Sequence, residues 1–391
     1  MKFIKLASLL EEFESGSRPK GGSIDYGVPS LGGEHLGING RCLFRNIKYV
    51  SEEYYEKLKK GKIKRKDILI VKDGATTGKT VFIGDDFPFK EAAINEHLFR
   101  LKIDENIANP KYVFYYLFSN KGKKEILKDF RGATVGGISR KFTELTLIPI
   151  IEMKQQNKVV NVLDKAQELI DKRKAQIEKL DEFIQSVFLD MFGDPVKNPK
   201  DFSKITLNKL GNWQSGGTPS RRKTEYFTGD IPWLSSGELE NMYIYNSAEK
   251  ISKEATQNSS AKIIEPDSLL LGMYDTAALK SSINKIPCSC NQAIAFAKLD
   301  PKKVNTEYAY FIIQVGRDYY RRLQRGVRQK NLNLTMIKNI EIILPPLDLQ
   351  NKFASIVEKT EQKKELFQKS LTEMENNFNS LMQKAFKGEL F

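Results

Sequence analysis

Gln156-Asn-Lys-Val-Val-Asn-Val-Leu-Asp-Lys-Ala-Gln-Glu-Leu-Ile170 decides the fold. Its apolar positions continue at Ile177, Leu180, Ile184, Val187 and Met191. From Val159 through Leu163, Ala166 and Ile170 the steps alternate four and three, the period of a narrow helical seam. Arg173 is the one misfit, and Gly193-Asp194-Pro195 stops the helix. The pattern returns after Pro345-Pro346, at Phe353, Val357, Thr360, Phe367, Leu371, Met374, Phe378, Leu381 and Ala385, with Lys364 interrupting it. Gln350-Asn-Lys352 repeats Gln156-Asn-Lys158.

The match extends outward from the helices. A shift of roughly two hundred residues pairs Ser15–Pro19 with Ser215–Pro219, and Asp67–Val71 with Asp267–Leu271. It also pairs Asn95-Glu96 with Asn291-Gln292, Asn109–Tyr112 with Asn305–Tyr308, and Arg131-Gly132 with Arg325-Gly326. The order is collinear, so the chain is a tandem repeat. The expected fold class is α+β: two mixed α/β domains in a pseudo-twofold repeat, separated by two long antiparallel coiled-coil helices. The expected segments are residues 1–150, a spacer helix at 151–194, a second domain at 195–345 and a second spacer at 346–391. A helix of about 35 residues is roughly 50 Å long, and such a rod matches about 15 base pairs or fewer.

Charge follows the same division. The 391 residues hold 63 Lys+Arg and 49 Asp+Glu, a net +14. Residues 1–150 carry 27 basic and 19 acidic side chains, net +8, and residues 195–345 carry 22 and 14, again +8. The spacers carry −2 and zero. Two separate basic modules suit a polyanion gripped at two places. No apolar run is long enough for a membrane span, so no membrane partner is expected. The N-terminal apolar stretch is broken by Lys5 and is no signal peptide. Three cysteines make no disulfide framework, which points to the cytoplasm.

Active-site patterns fail one by one. Gly74-Ala-Thr-Thr-Gly78-Lys79-Thr80 has three residues between its glycines where a P-loop has four. Cys288 and Cys290 have no second pair and no nearby histidine, so no metal site is expected. His35 and His97 lack sequence partners for triad chemistry and read as satisfied structural residues. No catalytic residue is assigned.

Base reading needs paired donors and acceptors, and backbone gripping needs charge. The strongest candidate is the loop Arg325-Gly-Val-Arg328-Gln329-Lys330, and its copy holds Arg131, Arg140 and Lys141. The early loops follow, with Arg18 and Lys20 in the first half and Arg221, Arg222 and Lys223 in the second. Thr77 and Lys79 in the glycine-rich turn, its copy's Lys280, and Tyr274 as a stacking residue complete the set. The run from Lys59 to Lys66 reads as a solvated edge.

Leu344-Pro-Pro-Leu-Asp-Leu-Gln350 and its weaker copy Ile148–Gln156 resemble the lead-in to a spacer helix in the specificity subunits of type I restriction-modification enzymes. Met191-Phe-Gly-Asp-Pro195, Ala385–Leu390, Ser215-Gly-Gly-Thr-Pro219 and Ile231-Pro-Trp-Leu234 carry the same resemblance, which covers essentially the whole chain. The first copy departs from it at Arg18 and Ser30, where the second has Thr218 and Trp233. The resemblance implies a non-catalytic DNA-binding subunit in which each block is a target-recognition domain for one half of a split double-stranded target. It implies two methyltransferase subunits as partners, methylating adenine with S-adenosylmethionine. Restriction/translocase subunits, where present, would use ATP and Mg. No cofactor is expected on this chain itself. The other reading is a non-catalytic coiled-coil scaffold that binds polyanions nonspecifically.

Overall fold

The computed structural model describes residues 2–132, 136–324 and 331–390, with residue 275 described by its backbone alone. The chain divides into two compact units. The first holds Met1–Lys174 and Lys369–Phe391, and the second holds Ala175–Gln368. Each long helix, Met153–Phe192 and Leu347–Lys387, contributes to both units.

In the first unit the continuous apolar run Ile68–Val71 forms a strand buried along its whole length. It lies inside a four-stranded antiparallel sheet ordered Leu10–Ser15, Leu98–Ile103, Ile68–Val71, Thr80–Phe82. A three-stranded sheet centres on Val28–Leu31, antiparallel to Lys48–Val50 and parallel to Ala93–Ile94. Lys2–Lys5 pairs with Leu147–Ile150. Leu69, Val71, Leu31, Ile94 and Leu98 join one apolar cluster.

The second unit has the same three kinds of sheet. Leu269–Gly272 is the buried centre of a five-stranded sheet ordered Gln214–Ser215, Ile294–Ala297, Leu269–Gly272, Ser281–Asn284, Tyr243–Ile244. Ile231–Leu234 centres the three-stranded sheet, antiparallel to Glu249–Ile251 and parallel to Ser289–Cys290. Lys204–Thr206 pairs with Glu341–Ile343.

The repeated Gln-Asn-Lys motif has a structural reason. In each unit a helix capped by asparagine, Pro110–Phe118 after Asn109 or Thr306–Val315 after Asn305, lies against the start of a long helix. Buried Gln156 accepts from the Asn109 N–H at 2.9 Å and donates to the Ile151 carbonyl at 2.9 Å. Buried Gln350 accepts from the Asn305 N–H at 2.9 Å and donates to the Pro345 carbonyl at 2.8 Å. One side-chain amide thus satisfies a donor and an acceptor that packing has taken from water. Tyr112 and Tyr308 add the same tie, donating to the Pro149 and Ile343 carbonyls at 2.8 Å each.

The long helices bury more than the narrow seam expected from their sequence. Val159, Leu163, Ile170 and Ile184 are buried as the seam predicts, and so are Val160, Phe188 and Phe192, which lie off it. In the second helix Met382 and Phe386 are the off-seam buried residues. The cause is packing onto the globular blocks. Phe192 meets Tyr308 and Phe353 at ring separations of 4.9 and 5.4 Å in the second unit. Phe386 meets Tyr112 and Tyr116 at 5.3 and 5.2 Å in the first. Arg173 and Lys364, the seam's misfits, are half-buried. Lys364 pairs with Asp181 at 2.5 Å, and Lys174 with Glu375 at 2.8 Å.

Candidate nucleic-acid interface

In the first unit two glycine-bearing segments are stitched together. The turn after Ile68–Val71 closes through Gly78 N–H to the Val71 carbonyl at 2.8 Å, with Gly74 and Gly78 at φ +89° and +83°. Those angles lie in the left-handed region that glycine adopts without a Cβ penalty. Thr77 is buried, and its hydroxyl donates to the Gly74 carbonyl at 2.7 Å, so it is committed to the turn. Lys79 is half-exposed, and its ammonium has no partner among the described residues.

Gly136 and Ile138 of the second segment hang on this turn. Gly74 N–H reaches the Gly136 carbonyl at 3.0 Å, and Ile138 N–H the Lys72 carbonyl at 2.7 Å. Asp129 clamps the base of the segment. It accepts from the Ser139 N–H and hydroxyl at 2.7 and 2.6 Å, and from Arg131 at 3.2 Å. Burial pushes the Asp129 carboxyl up, but the Ser139 hydrogen bonds and Arg131 outweigh it and hold it below the usual carboxylate range. Arg140 lies 4.2 Å over the Phe13 ring and donates to the Phe13 carbonyl, whereas the Lys141 side chain is exposed.

A third segment joins through Arg18, which the sequence singled out, and through Glu96, His97 and Asp73, which it did not. Arg18 Nε is 2.9 Å from Glu96 Oε1, His97 Nε2 is 3.3 Å from the same oxygen, and His97 Nδ1 is 2.5 Å from Asp73 Oδ1. Lys72 N–H also donates to the His97 carbonyl at 2.9 Å. The partner that the sequence did not show for His97 is Asp73, 24 positions away on another loop. His35 does behave as expected: it is buried, and its Nδ1 accepts from the Gly32 N–H at 2.8 Å. Lys20 is exposed beside Arg18 in sequence.

The second unit repeats the backbone and changes the side chains. Met273 N–H donates to the Ala293 carbonyl at 2.8 Å, and Leu332 N–H to the Met273 carbonyl at 2.8 Å. Tyr274 bridges to Asn331 and is 38% exposed, enough to offer a ring face. Lys280 is 3.5 Å from Glu240. Arg317, missed in the sequence, braces this turn by donating to the Ala278 and Thr276 carbonyls at 3.1 and 3.0 Å. Arg221 pairs with Glu249 at 2.6 Å and lies 4.3 Å from the Phe227 ring. Lys223 donates to the Tyr226 hydroxyl at 3.0 Å, and Arg222 is exposed. Arg325, Arg328, Gln329 and Lys330 lie outside the described residues.

Among the described residues no group of three or more His, Cys, Asp or Glu is arranged to hold a metal, and no helix is long and apolar enough to cross a membrane. Burial pushes the Cys42 and Cys288 thiols up to about 12. What each unit presents is a set of Arg and Lys side chains on loops carried by a sheet, joined in the second by Tyr274, residue types that meet phosphates and base edges.

The family model for the type I restriction modification DNA specificity domain matches residues 28–180 and again 199–376. The chain belongs to this family. Among curated relatives, the specificity subunit of the type I restriction enzyme EcoR124I/EcoR124II of Escherichia coli is 25% identical over 303 residues. That match covers 75% of this chain and 72% of the relative. The MjaIX specificity subunit of Methanocaldococcus jannaschii is 25% identical over 298 residues, covering 71% and 68%. The crystal structure of a type I restriction-modification S subunit from M. genitalium shares the fold. Its TM-score is 0.58 at 15% identity, over 98% of this chain and 96% of that one. A chain from a study of complex assembly and conformational transition of the type I R-M system aligns with TM-score 0.61 at 13% identity, over 100% and 98%. The two family matches fall one on each repeat, and DNA target recognition is the function that membership carries.

Proposed function

We propose that this chain reads a split DNA target for a type I restriction-modification complex, one half-site per globular block. The observation that carries the reading is the duplication. The same kinds of sheet and the same backbone ties at the turn after the buried central strand occur twice on one chain, with different side chains on them. Two readers with one scaffold and different side chains suit a target whose halves differ in sequence. The long helices form an antiparallel coiled coil that relates the repeats as a pseudo-twofold pair, sets the gap between half-sites and docks two methyltransferase subunits. Lys174–Glu375 within one unit and Asp181–Lys364 within the other support opposite helix directions. The chain itself performs no catalysis. S-adenosylmethionine belongs to the methyltransferase subunits, and ATP with Mg to restriction subunits where these are present.

The test is a nuclease footprint of the assembled methyltransferase complex on its target. Two short protected clusters separated by a fixed gap are expected. One contiguous cluster overturns the two-reader assignment. The logarithm of the specific affinity should fall steeply and linearly with the logarithm of salt concentration, because lysines and arginines release counterions from the duplex. Equal competition by random duplex would instead mark a nonspecific scaffold.

A further inference from the structure

We propose that His97 is a positioning residue for the first block's reading of DNA, holding Arg18 and the two glycine-bearing loops in one geometry through Asp73 and Glu96. The inference rests on the DNA-reading function proposed above and assigns part of that reading to a specific side-chain relay. Asp73, His97, Glu96 and Arg18 form an unbroken chain of contacts at 2.5, 3.3 and 2.9 Å. Asp73 is itself bridged to Gly137, which also bridges Arg131. The relay therefore ties Arg18 to both the Gly74–Gly78 turn and the Arg131 segment.

The second unit shows what this relay is not needed for. Asn95 N–H donates to the Leu31 carbonyl at 2.8 Å, and its side chain accepts from the His97 N–H at 3.0 Å. Asn291 makes the same bonds, to Leu234 at 2.9 Å and from Ala293 at 3.0 Å. The backbone skeleton is thus the same, yet His97 has become Ala293, Asp73 has become Tyr274, and the Arg18–Glu96 pair has become a hydrogen bond between Thr218 and Gln292. The turn forms there without the relay of His97, Asp73, Glu96 and Arg18. The cations of the relay are about half exposed, His97 at 46% and Arg18 at 51%, and ion pairs with exposed members add little to stability. Fold stability does not account for the relay. His97 is hydrogen-bonded to Asp73 through Nδ1 and its Nε2 lies 3.3 Å from Glu96, so the ring stands between the two acidic groups. Fixing Glu96 fixes where the Arg18 guanidinium sits, and a guanidinium reads bases or phosphates only when its fork is held in place.

The experiment expresses the full chain with its methyltransferase subunits and maps methylated adenines across the host genome. The variants are His97→Ala, Asp73→Asn and the double change Arg18→Thr with Glu96→Gln, which installs the second unit's neutral pair. Each should broaden the bases tolerated in one half of the target, by roughly tenfold at the affected position, and leave the other half unchanged. An unchanged motif in Asp73→Asn and His97→Ala overturns the proposal. So does an even loss at all sites with no change in tolerated bases, the signature of a merely structural role. Asp73→Asn is nearly isosteric and decides the matter if His97→Ala fails to assemble. If the unaltered chain yields no split motif, the DNA-reading function itself fails, whatever the variants do.

Discussion

Arg100 is a buried cation of the first unit, only 1% exposed. Its guanidinium meets Asp67 at 2.5 Å, Glu12 at 2.7 Å and Glu14 at 2.8 Å. Removing it strands three carboxylates, and breaking such a buried set costs about 3–5 kcal/mol. Arg100→Ala should therefore lower the unfolding midpoint of the first unit sharply in a thermal melt. The hydrogen bond from Arg100 holds the Glu12 carboxyl below its usual range. A carboxylate depressed in the folded state adds stability that is present above its unfolded value, near 4.5, and is lost as pH falls through the folded value. The melting temperatures of the unaltered protein and Glu12→Gln should then differ at pH 7 and converge only once the pH has fallen below that depressed folded value. A constant difference across that range would remove Glu12 from the account. At this scale the sequence was only partly legible. The arginines and lysines of the loops could be picked out by type, but seven of them or their neighbours turn out to hold intramolecular partners, as Arg18, Arg131, Arg140, Arg221, Lys223, Lys280 and Thr77 do. The His97–Asp73 contact joins two loops, and no local pattern announces a pairing of that kind.

Among the elements, the long helices were the most legible, because periodicity over many turns is a strong signal. Their ends are Phe192, followed by Gly193 at φ +75°, and Lys387, followed by Gly388 at φ +80°. Illegible in the sequence was the second apolar face near each end, since Phe188 and Phe192 fall outside a heptad seam and acquire meaning only against Tyr308 and Phe353. Phe192→Ala should cost the second unit about 3–5 kcal/mol, measured by denaturant unfolding. Gln350→Ala leaves the Asn305 N–H and the Pro345 carbonyl without their partner. A buried group left unpaired costs about 1–3 kcal/mol. Hydrogen exchange should rise at the start of Thr306–Val315 in that variant, and at the start of Pro110–Phe118 in Gln156→Ala. If neither segment exchanges faster, the glutamine does not fasten the helix.

For the whole molecule, the sequence repeat and the charge blocks foretold two basic modules. They did not foretell how the chain is shared between them. Because Tyr112, Tyr115 and Tyr116 pack against Phe378 and Phe386, the first unit's core includes residues more than 260 positions downstream. A chain ending at residue 368 should keep the second unit protease-resistant and expose the first. Limited proteolysis followed by mass spectrometry reads this directly. Equal resistance of both units would sever the proposed dependence.

The interleaving sets an order of events during synthesis. Domains ordinarily fold from the N-terminus as they leave the ribosome. Here residues 175–368 are complete while the first unit still lacks 369–387. The unit translated first must therefore wait for the second to be made, with the Phe386 pocket of Tyr112 and Tyr116 open to solvent in the interval. Chaperone dependence and misfolding during translation should concentrate on the N-terminal block.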